Sequence, residues 1–155
     1  MPTRIIEITD PDYKSDLCHR VLSDLPQWFG IPEANQNYSR EVKDQRFFAV
    51  FDSKKEVGFA AFKMNNAYVA ELVVMGIFPT YHRMGFGSAL VQFITQDLKQ
   101  KGVKYLEVKT LDESAESEPY QRTRQFYLDQ GFIPVDVLKN EWGEENPCLI
   151  MIKKL

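Results

Sequence analysis

The chain has 155 residues, 44% of them hydrophobic and 26% charged, with a formal net charge of −3. That size suits one domain with a sizeable core, and the composition is that of an ordinary globular protein. The acidic balance excludes a nucleic-acid footprint, no segment reaches the length of a membrane span, and the N-terminus lacks a basic-then-apolar signal pattern. Neither nucleic acid nor membrane is therefore an expected partner. The two cysteines, Cys18 and Cys148, lie far apart with no Cys-x-x-Cys or Cys/His cluster. They read as free thiols in a reducing, cytoplasmic setting, with no metal site.

Arg4 to Thr9 reads as a first strand, ended by Asp10-Pro11. A helix from about Asp12 to Ser23 follows, with Tyr13, Leu17 and Val21 at helical spacing, and Pro26 breaks the pattern. Gln27 to Asp44 is less regular: Trp28, Phe29 and Ile31 suggest packing, Pro32 can open a helix, and Tyr38 and Val42 stand one turn apart. Arg46 to Asp52 and Glu56 to Met64 predict a hairpin joined at Asp52-Ser53-Lys54-Lys55. After Asn65-Asn66, a strand from about Ala67 to Phe78 is apolar on both faces, which predicts a central place in the sheet.

Ser88 to Lys101 predicts a helix with the stripe Leu90, Val91, Ile94 and Leu98, stopped by Gly102. Val103 to Thr110 reads as a strand centred on Tyr105 and Leu106. An acidic loop from Asp112 to Glu118 leads through Pro119 into a helix running to Gln130, ended by Gly131. Phe132 to Leu138 and Cys148 to Lys153 give two final strands, separated by a polar excursion through Trp142-Gly143. Helices after the first, fourth and fifth strands predict a mixed sheet flanked by helices.

The stretch His82-Arg83-Met84-Gly85-Phe86-Gly87 stands where the apolar strand turns into an amphipathic helix. Glycines let the backbone approach a bulky anion, and a helix start supplies unpaired N–H groups and a positive dipole end. The pattern resembles the pyrophosphate-binding motif of the GNAT superfamily of N-acetyltransferases, Gln/Arg-x-x-Gly-x-Gly/Ala. A second stretch, Thr123 to Phe132, resembles the pattern Asn-x-x-Ala-x-x-Leu-Tyr-x-x-x-Gly-Phe that closes the cofactor site in those enzymes. The order and spacing of the two carry the resemblance over roughly Glu56 to Phe132.

The resemblance implies a single domain over residues 1–155 with an α/β (α+β) fold. Its central sheet would be mixed and mostly antiparallel, with about seven strands, about four flanking helices and a splayed central strand at the cofactor site. It also implies acetyl transfer from acetyl-CoA, as co-substrate, to a primary amine of a small molecule or peptide. Transfer would be direct, in a ternary complex, by a monomer or homodimer. By the same resemblance the backbone of Arg83, Met84, Gly85, Phe86, Gly87 and Ser88 grips the diphosphate, and Arg83 adds charge. The main chain of Gly76, Ile77 and Phe78 bonds the pantetheine arm, and one of those amides polarises the thioester carbonyl. Gly76 is also where a bulge costs least.

Tyr127 resembles the family's general acid for the departing thiolate. A thiol's pKa of about 8.5 lies below a phenol's of about 10, so that transfer depends on geometry. A core tyrosine is the competing reading. Glu71, a carboxylate in an otherwise apolar strand and fourteen residues before Gly85, is the candidate base. Its spacing matches the histone-acetyltransferase branch of the superfamily, and burial would raise its pKa; a glutamate that merely orients a neighbour is the alternative. His82 departs from the family's Gln or Arg and reads as a loop-shaping residue or a donor to phosphate.

Tyr120 and Thr123 stand where the second motif has Asn and Ala; by the resemblance both border the cofactor, and Tyr120 either replaces the asparagine's contact to the pantetheine or packs. Arg122 and Arg124 could reach the 3′-phosphate or form a solvated helix face. Trp28, Phe29 and Trp142 could line an acceptor pocket or pack. Two other readings compete with the enzyme. A non-catalytic acyl-CoA sensor or regulatory module would keep the cradle without Glu71 and Tyr127. A P-loop or Rossmann protein would need Gly-Lys-Ser/Thr or a third glycine, and neither is present.

Overall fold

The structure, a computed structural model, describes residues 3–155. Seven strands form a mixed sheet in the order β1-β2-β3-β4-β5-β7-β6: β1 Thr3–Glu7, β2 Arg46–Asp52, β3 Lys55–Met64, β4 Val69–Ile77, β5 Tyr105–Leu111, β6 Ile133–Leu138 and β7 Cys148–Lys154. Four helices accompany them: α1 Pro11–Ser23, α2 Pro32–Glu41, α3 Phe86–Gln100 and α4 Glu118–Asp129. The chain divides into two compact units, and the division cuts through β4 and α3.

The first unit comprises the described residues up to Lys63 together with Val73–Gln96. Strands β1, β2 and β3 pair antiparallel, from Thr3↔Asp52 to Glu7↔Phe48 and from Arg46↔Phe62 to Asp52↔Lys55. The hairpin turns on Ser53-Lys54, with Ser53 at φ 56°. Helix α1 starts at Pro11 because the Asp10 carboxylate accepts the Asp12 N–H at 3.0 Å and proline needs no donor there.

The apolar face of α1, Leu17, Cys18, Val21 and Leu22, packs with Leu25 on Phe47, Ala49, Phe59, Ala61 and Val74. Phe47 and Phe59 stack at 4.9 Å between centroids, a pairing worth about 0.5–1.5 kcal/mol beyond burial. Phe48, on the opposite face, stacks on Phe62 and meets Phe93 of α3 edge-on. The irregular Gln27 to Asp44 segment resolves into α2 and a 3₁₀ turn, Val42–Asp44, with Val42 fully buried.

A polar clamp closes this unit. Arg20 grips Glu56 with two guanidinium bonds of 2.7 and 2.9 Å, and the Tyr13 hydroxyl donates to the same carboxylate. The guanidinium holds the Glu56 carboxyl below its ordinary range against the opposing effect of burial. Burial and the Glu56 bond push Tyr13 up to about 12.

The second unit is Met64–Leu72 with Asp97–Leu155. Its parallel ladder runs from Val69↔Tyr105 to Leu72↔Val108. Strand β7 then pairs antiparallel with β5 from Leu111↔Cys148 to Tyr105↔Lys154, and with β6 on its other side. Strand β4 begins at Val69 rather than Ala67, because the Asn66 side chain accepts the N–H groups of Tyr68 and Val69 and holds a turn. Tyr105 is the first residue of β5 rather than its centre, and 39% exposed. Leu106, Val108, Phe132, Leu149 and Met151 are buried in this unit. Ser117 caps α4, and Gly131, at φ +94°, ends it.

One expectation for β4 needs correction. Ala70, Leu72 and Val74 are buried as predicted, but Val73, Met75 and Ile77 on the alternate face are only half-buried. Two apolar faces in sequence thus became one packed face and one partly open one.

Candidate active site

In the first unit the chain leaves β4 through a short 3₁₀ turn, Pro79–Tyr81, and enters α3 at Phe86. A Cβ on Gly76 would stand 2.7 Å from Val21 and 3.1 Å from Leu25. The constraint at this position is therefore close packing of α1, in addition to any ease of bulging. Gly58 on β3 is constrained from the other side, since its Cβ would stand 2.2 Å from the Gly76 carbonyl oxygen. That oxygen is thus directed at β3. In a trans peptide the N–H points opposite to the carbonyl, so the Ile77 N–H is turned away from Gly58.

The next peptide is engaged at both ends. Its N–H, on Phe78, donates to Val57 at 2.9 Å, and its oxygen, on Ile77, accepts from His82 Nε2 at 2.6 Å. A carbonyl can only accept, so Nε2 carries the hydrogen. The Phe78 amide is held within the protein, and the Ile77 N–H is the donor turned outward from β3. His82 thus bonds within its own loop, its ring meeting Trp28 edge-to-face at 5.9 Å. Trp28 and Phe29 both pack against the core cluster.

Beyond His82 the backbone takes positive φ twice, 62° at Arg83 and 88° at Gly85. Nothing stands within 4 Å of a Cβ built on Gly85, so glycine is needed there for conformation and leaves open room above the backbone. The Gly85 carbonyl accepts the Ala89 N–H at 3.0 Å. The helix therefore starts two residues before the predicted Ser88, and its first turn presents amide groups and the positive dipole end. Arg83 and Met84 are exposed, whereas Phe86 is buried edge-on to Tyr81 and anchors the helix start. Gly87 and Ser88 are half-buried. Of this stretch, the Phe86 side chain belongs to the packing and its backbone to the first turn of α3.

In the second unit, Glu71 is buried, 8% exposed, and the β4–β5 ladder puts Glu107 directly beside it on the same face. Burial, repulsion from Glu71 and a hydrogen bond to it raise the Glu107 carboxyl above its ordinary range; Lys109 and Asn65 act in the opposite direction. The Asn65 amide donates to Glu107 at 3.2 Å, and Lys109 lies 3.5 Å from Glu141. Burial opposes the charge on Lys109, but Glu71, Glu141 and Glu107 together raise its pKa. Cys148 borders the group, its thiol pushed up to about 11 chiefly by burial. Cys18 is likewise raised to about 12 by burial, so both sulfurs are protonated thiols near neutrality.

Tyr127 is 9% exposed, its ring edge-on to Phe126 and Phe132. The Phe132 N–H donates to the Tyr127 carbonyl at 3.0 Å, so the Gly131 turn fixes the backbone at this residue. Thr123 turns its hydroxyl back to Pro119 at 3.2 Å, and Tyr120 is half-buried in the first turn of α4. Arg122 pairs with Glu118, and Arg124 donates to the Leu111 carbonyl at 2.7 Å. Both arginines thus have partners within the protein, Arg124 on the β5 backbone and Arg122 on its own helix. Trp142 is partly exposed in the loop before β7. Among the described residues no group of three or more His, Cys, Asp or Glu side chains could hold a metal ion.

The acetyltransferase (GNAT) family model matches residues 4–132. The chain belongs to the GNAT acetyltransferase family. Solved structures extend the likeness through the last two strands. A GNAT-family protein from Desulfovibrio desulfuricans superposes with a TM-score of 0.82 at 20% identity, covering 99% of both chains. The ribosomal-protein-S18-alanine N-acetyltransferase of Escherichia coli gives 0.77 at 18% identity, over 99% of this chain and 94% of that one. The PaiA N-acetyltransferase of Thermoplasma acidophilum, solved with coenzyme A, gives 0.73 at 18% identity over 100% of both. At these identities the likeness is one of fold. Comparison with curated protein sequences finds no significant match.

As a family member the chain is an acyltransferase, and its seven-stranded sheet with four helices is the GNAT fold. Glu107 and Lys109 were not singled out in sequence, nor was the bond from His82 to Ile77. A partial signal existed for the first two: Tyr105, Glu107 and Lys109 alternate with Leu106, Val108 and Thr110, the mark of a strand with one polar face.

Proposed function

We propose that this enzyme transfers the acetyl group of acetyl-CoA to a primary amine of a small molecule or peptide, by direct attack in a ternary complex. The observation that carries the reading is the run from Ile77 to Gly85. One outward-turned amide is followed, within a few residues, by a positive-φ turn at the start of a long helix. A thioester needs such an amide for its carbonyl, and a diphosphate needs such a cradle.

In this reading the main chain of Arg83 to Ser88 holds the diphosphate, and the Ile77 N–H donates to the thioester oxygen. Glu71, sharing its face with Glu107, takes a proton from the acceptor ammonium. The freed nitrogen lone pair forms the N–C bond as the C–S bond breaks, the Tyr127 hydroxyl protonates the departing sulfur, and the second proton leaving the new amide nitrogen restores Tyr127, while Glu71 returns its proton to solvent. Tyr120 takes the pantetheine contact that the altered motif leaves open. The enzyme works in the cytoplasm, as a monomer or homodimer.

A thermal-shift titration tests the donor assignment. Acetyl-CoA is expected to raise the melting temperature while ATP and NAD do not, since binding to the folded state stabilises it by mass action. Equal shifts from all three ligands would refute the assignment. A screen of pooled amines with acetyl-CoA, read by free thiol, then identifies the acceptor class.

A further inference from the structure

His82 stands where the family motif has Gln or Arg, and its ring turns back onto β4 instead of outward to an anion. The chain reverses between Ile77 and His82 by two main-chain bonds, Tyr81 N–H to Phe78 at 2.9 Å and His82 N–H to Pro79 at 3.1 Å. The side chain closes the loop with its bond to the Ile77 oxygen. We propose that His82 is a positioning residue for the thioester carbonyl, acting through the Ile77 backbone. This rests on the acetyl-CoA reading above and names what orients its polarising amide.

First, the N–H and C=O of one residue in extended backbone point to the same side of the strand. A ligand oxygen accepting from the Ile77 N–H would therefore have the Ile77 carbonyl as a neighbour on that edge. Occupied by the His82 donor, that carbonyl presents less negative charge to the incoming oxygen. Second, with its oxygen held by His82 and its N–H by Val57, the Ile77–Phe78 peptide cannot rotate. On the other side Gly58 packs against the Gly76 carbonyl. Ile77 is thus held at both of its peptides, which is the preorganisation an oxyanion donor needs. Third, the ring itself is braced: Trp28 meets it edge-to-face at 77° between planes.

The chemistry of the bond gives a discriminating set of variants. Gln extends its amide about as far as Nε2 of histidine and can donate to the Ile77 oxygen, whereas Asn reaches only to the position of Nδ1. His82→Gln should therefore restore what His82→Ala and His82→Asn lose. The readout is the infrared band of acetyl-CoA labelled with ¹³C at the thioester carbonyl, bound to each full-length protein, beside its affinity by calorimetry.

Wild type and His82→Gln are expected to show the band shifted to lower frequency, and His82→Ala and His82→Asn to lose most of that shift. Affinity should change by less than about threefold, because the diphosphate cradle is intact and the carbonyl contact matters most in the transition state. Turnover of a screened acceptor should fall by about 10- to 100-fold in the Ala and Asn variants, the cost of misplacing one group by about an ångström. Identical bands in wild type and His82→Ala would overturn the proposal, as would equal loss in the Gln variant. A wild-type protein that binds acetyl-CoA without any shift would overturn it while leaving the cofactor assignment standing. Failure of wild type to bind acetyl-CoA would remove both.

Discussion

The turn that leaves β4 and the carboxylate pair on β4 and β5 are built on opposite plans. From Ile77 to Gly85 the groups that matter are peptide units: an amide turned away from Gly58, a peptide held at both ends, and two positive-φ residues before α3. Side chains there serve the backbone; Phe86 anchors the helix start and His82 closes the loop. Around Glu71 the backbone is an ordinary ladder, and everything distinctive lies in side chains that strand pairing has set together. A main-chain site tolerates side-chain change and fails when the backbone is redirected. A side-chain site behaves the other way.

That contrast can be broken experimentally, beginning with the largest effect. Tyr127→Phe removes the proposed proton donor while keeping the ring between Phe126 and Phe132, so turnover should drop by about 10²- to 10⁴-fold with donor affinity little changed. Steady-state rates beside calorimetry would show it, and an unaltered rate would reduce Tyr127 to packing.

Next comes Gly58→Ala. The added methyl would meet the Gly76 oxygen and the Ile77 backbone, neither of which can yield like a flexible side chain. A stability loss of about 1–3 kcal/mol is expected from such overpacking, measurable by denaturant melts, together with loss of the amide's orientation. A variant as stable and active as wild type would show that β3 does not hold Ile77.

Gly85→Ala tests the cradle itself. Space is open around Gly85, but φ +88° is costly for a side-chain-bearing residue. A penalty of about 1–2 kcal/mol should shift the turn toward other conformations and, through that lost population, weaken acetyl-CoA binding by up to roughly tenfold. Met84→Ala, at an exposed neighbour, should leave binding unchanged. If Met84 mattered more than Gly85, the turn would not be a main-chain site.

The smallest effect concerns the carboxylate pair. Glu107 has a folded pKa above the ordinary carboxylate value. Its contribution to stability is therefore complete in acid and is lost as pH rises through the folded pKa. Glu107→Gln stays neutral and escapes that loss, so its melting temperature should exceed wild type increasingly above the ordinary carboxylate range and converge with it in acid. A pH series of thermal melts checks the sign, and a constant offset at every pH would dissociate Glu107 from its neighbour.

Much of this was readable from local pattern. The stripe Leu90, Val91, Ile94 and Leu98 is buried in α3 as its spacing predicted, and Gly102 and Gly131 end their helices with positive φ. The β2–β3 hairpin falls where Asp52 to Lys55 placed it. The Gly85 turn was legible because glycine at a strand-to-helix junction is a backbone signal carried by few residues. Glu71 drew notice as a charge in an apolar strand, but its partner Glu107 lies thirty-six residues away, in a strand whose register no short window reveals.

Local pattern in the chain sets most strands and helices in their order, the glycine-bearing turn before α3, and two motifs that resemble those of the GNAT enzymes. Helical period, proline and glycine act over a few residues and need no distant partner. Strand pairing, in contrast, sets Glu107 beside Glu71, brings the Gly76 carbonyl against Gly58, and turns the Ile77 amide, unlike that of Phe78, away from β3. Each depends on which strand lies alongside which and in what register, and that choice is made by the burial of whole faces rather than by the residues concerned.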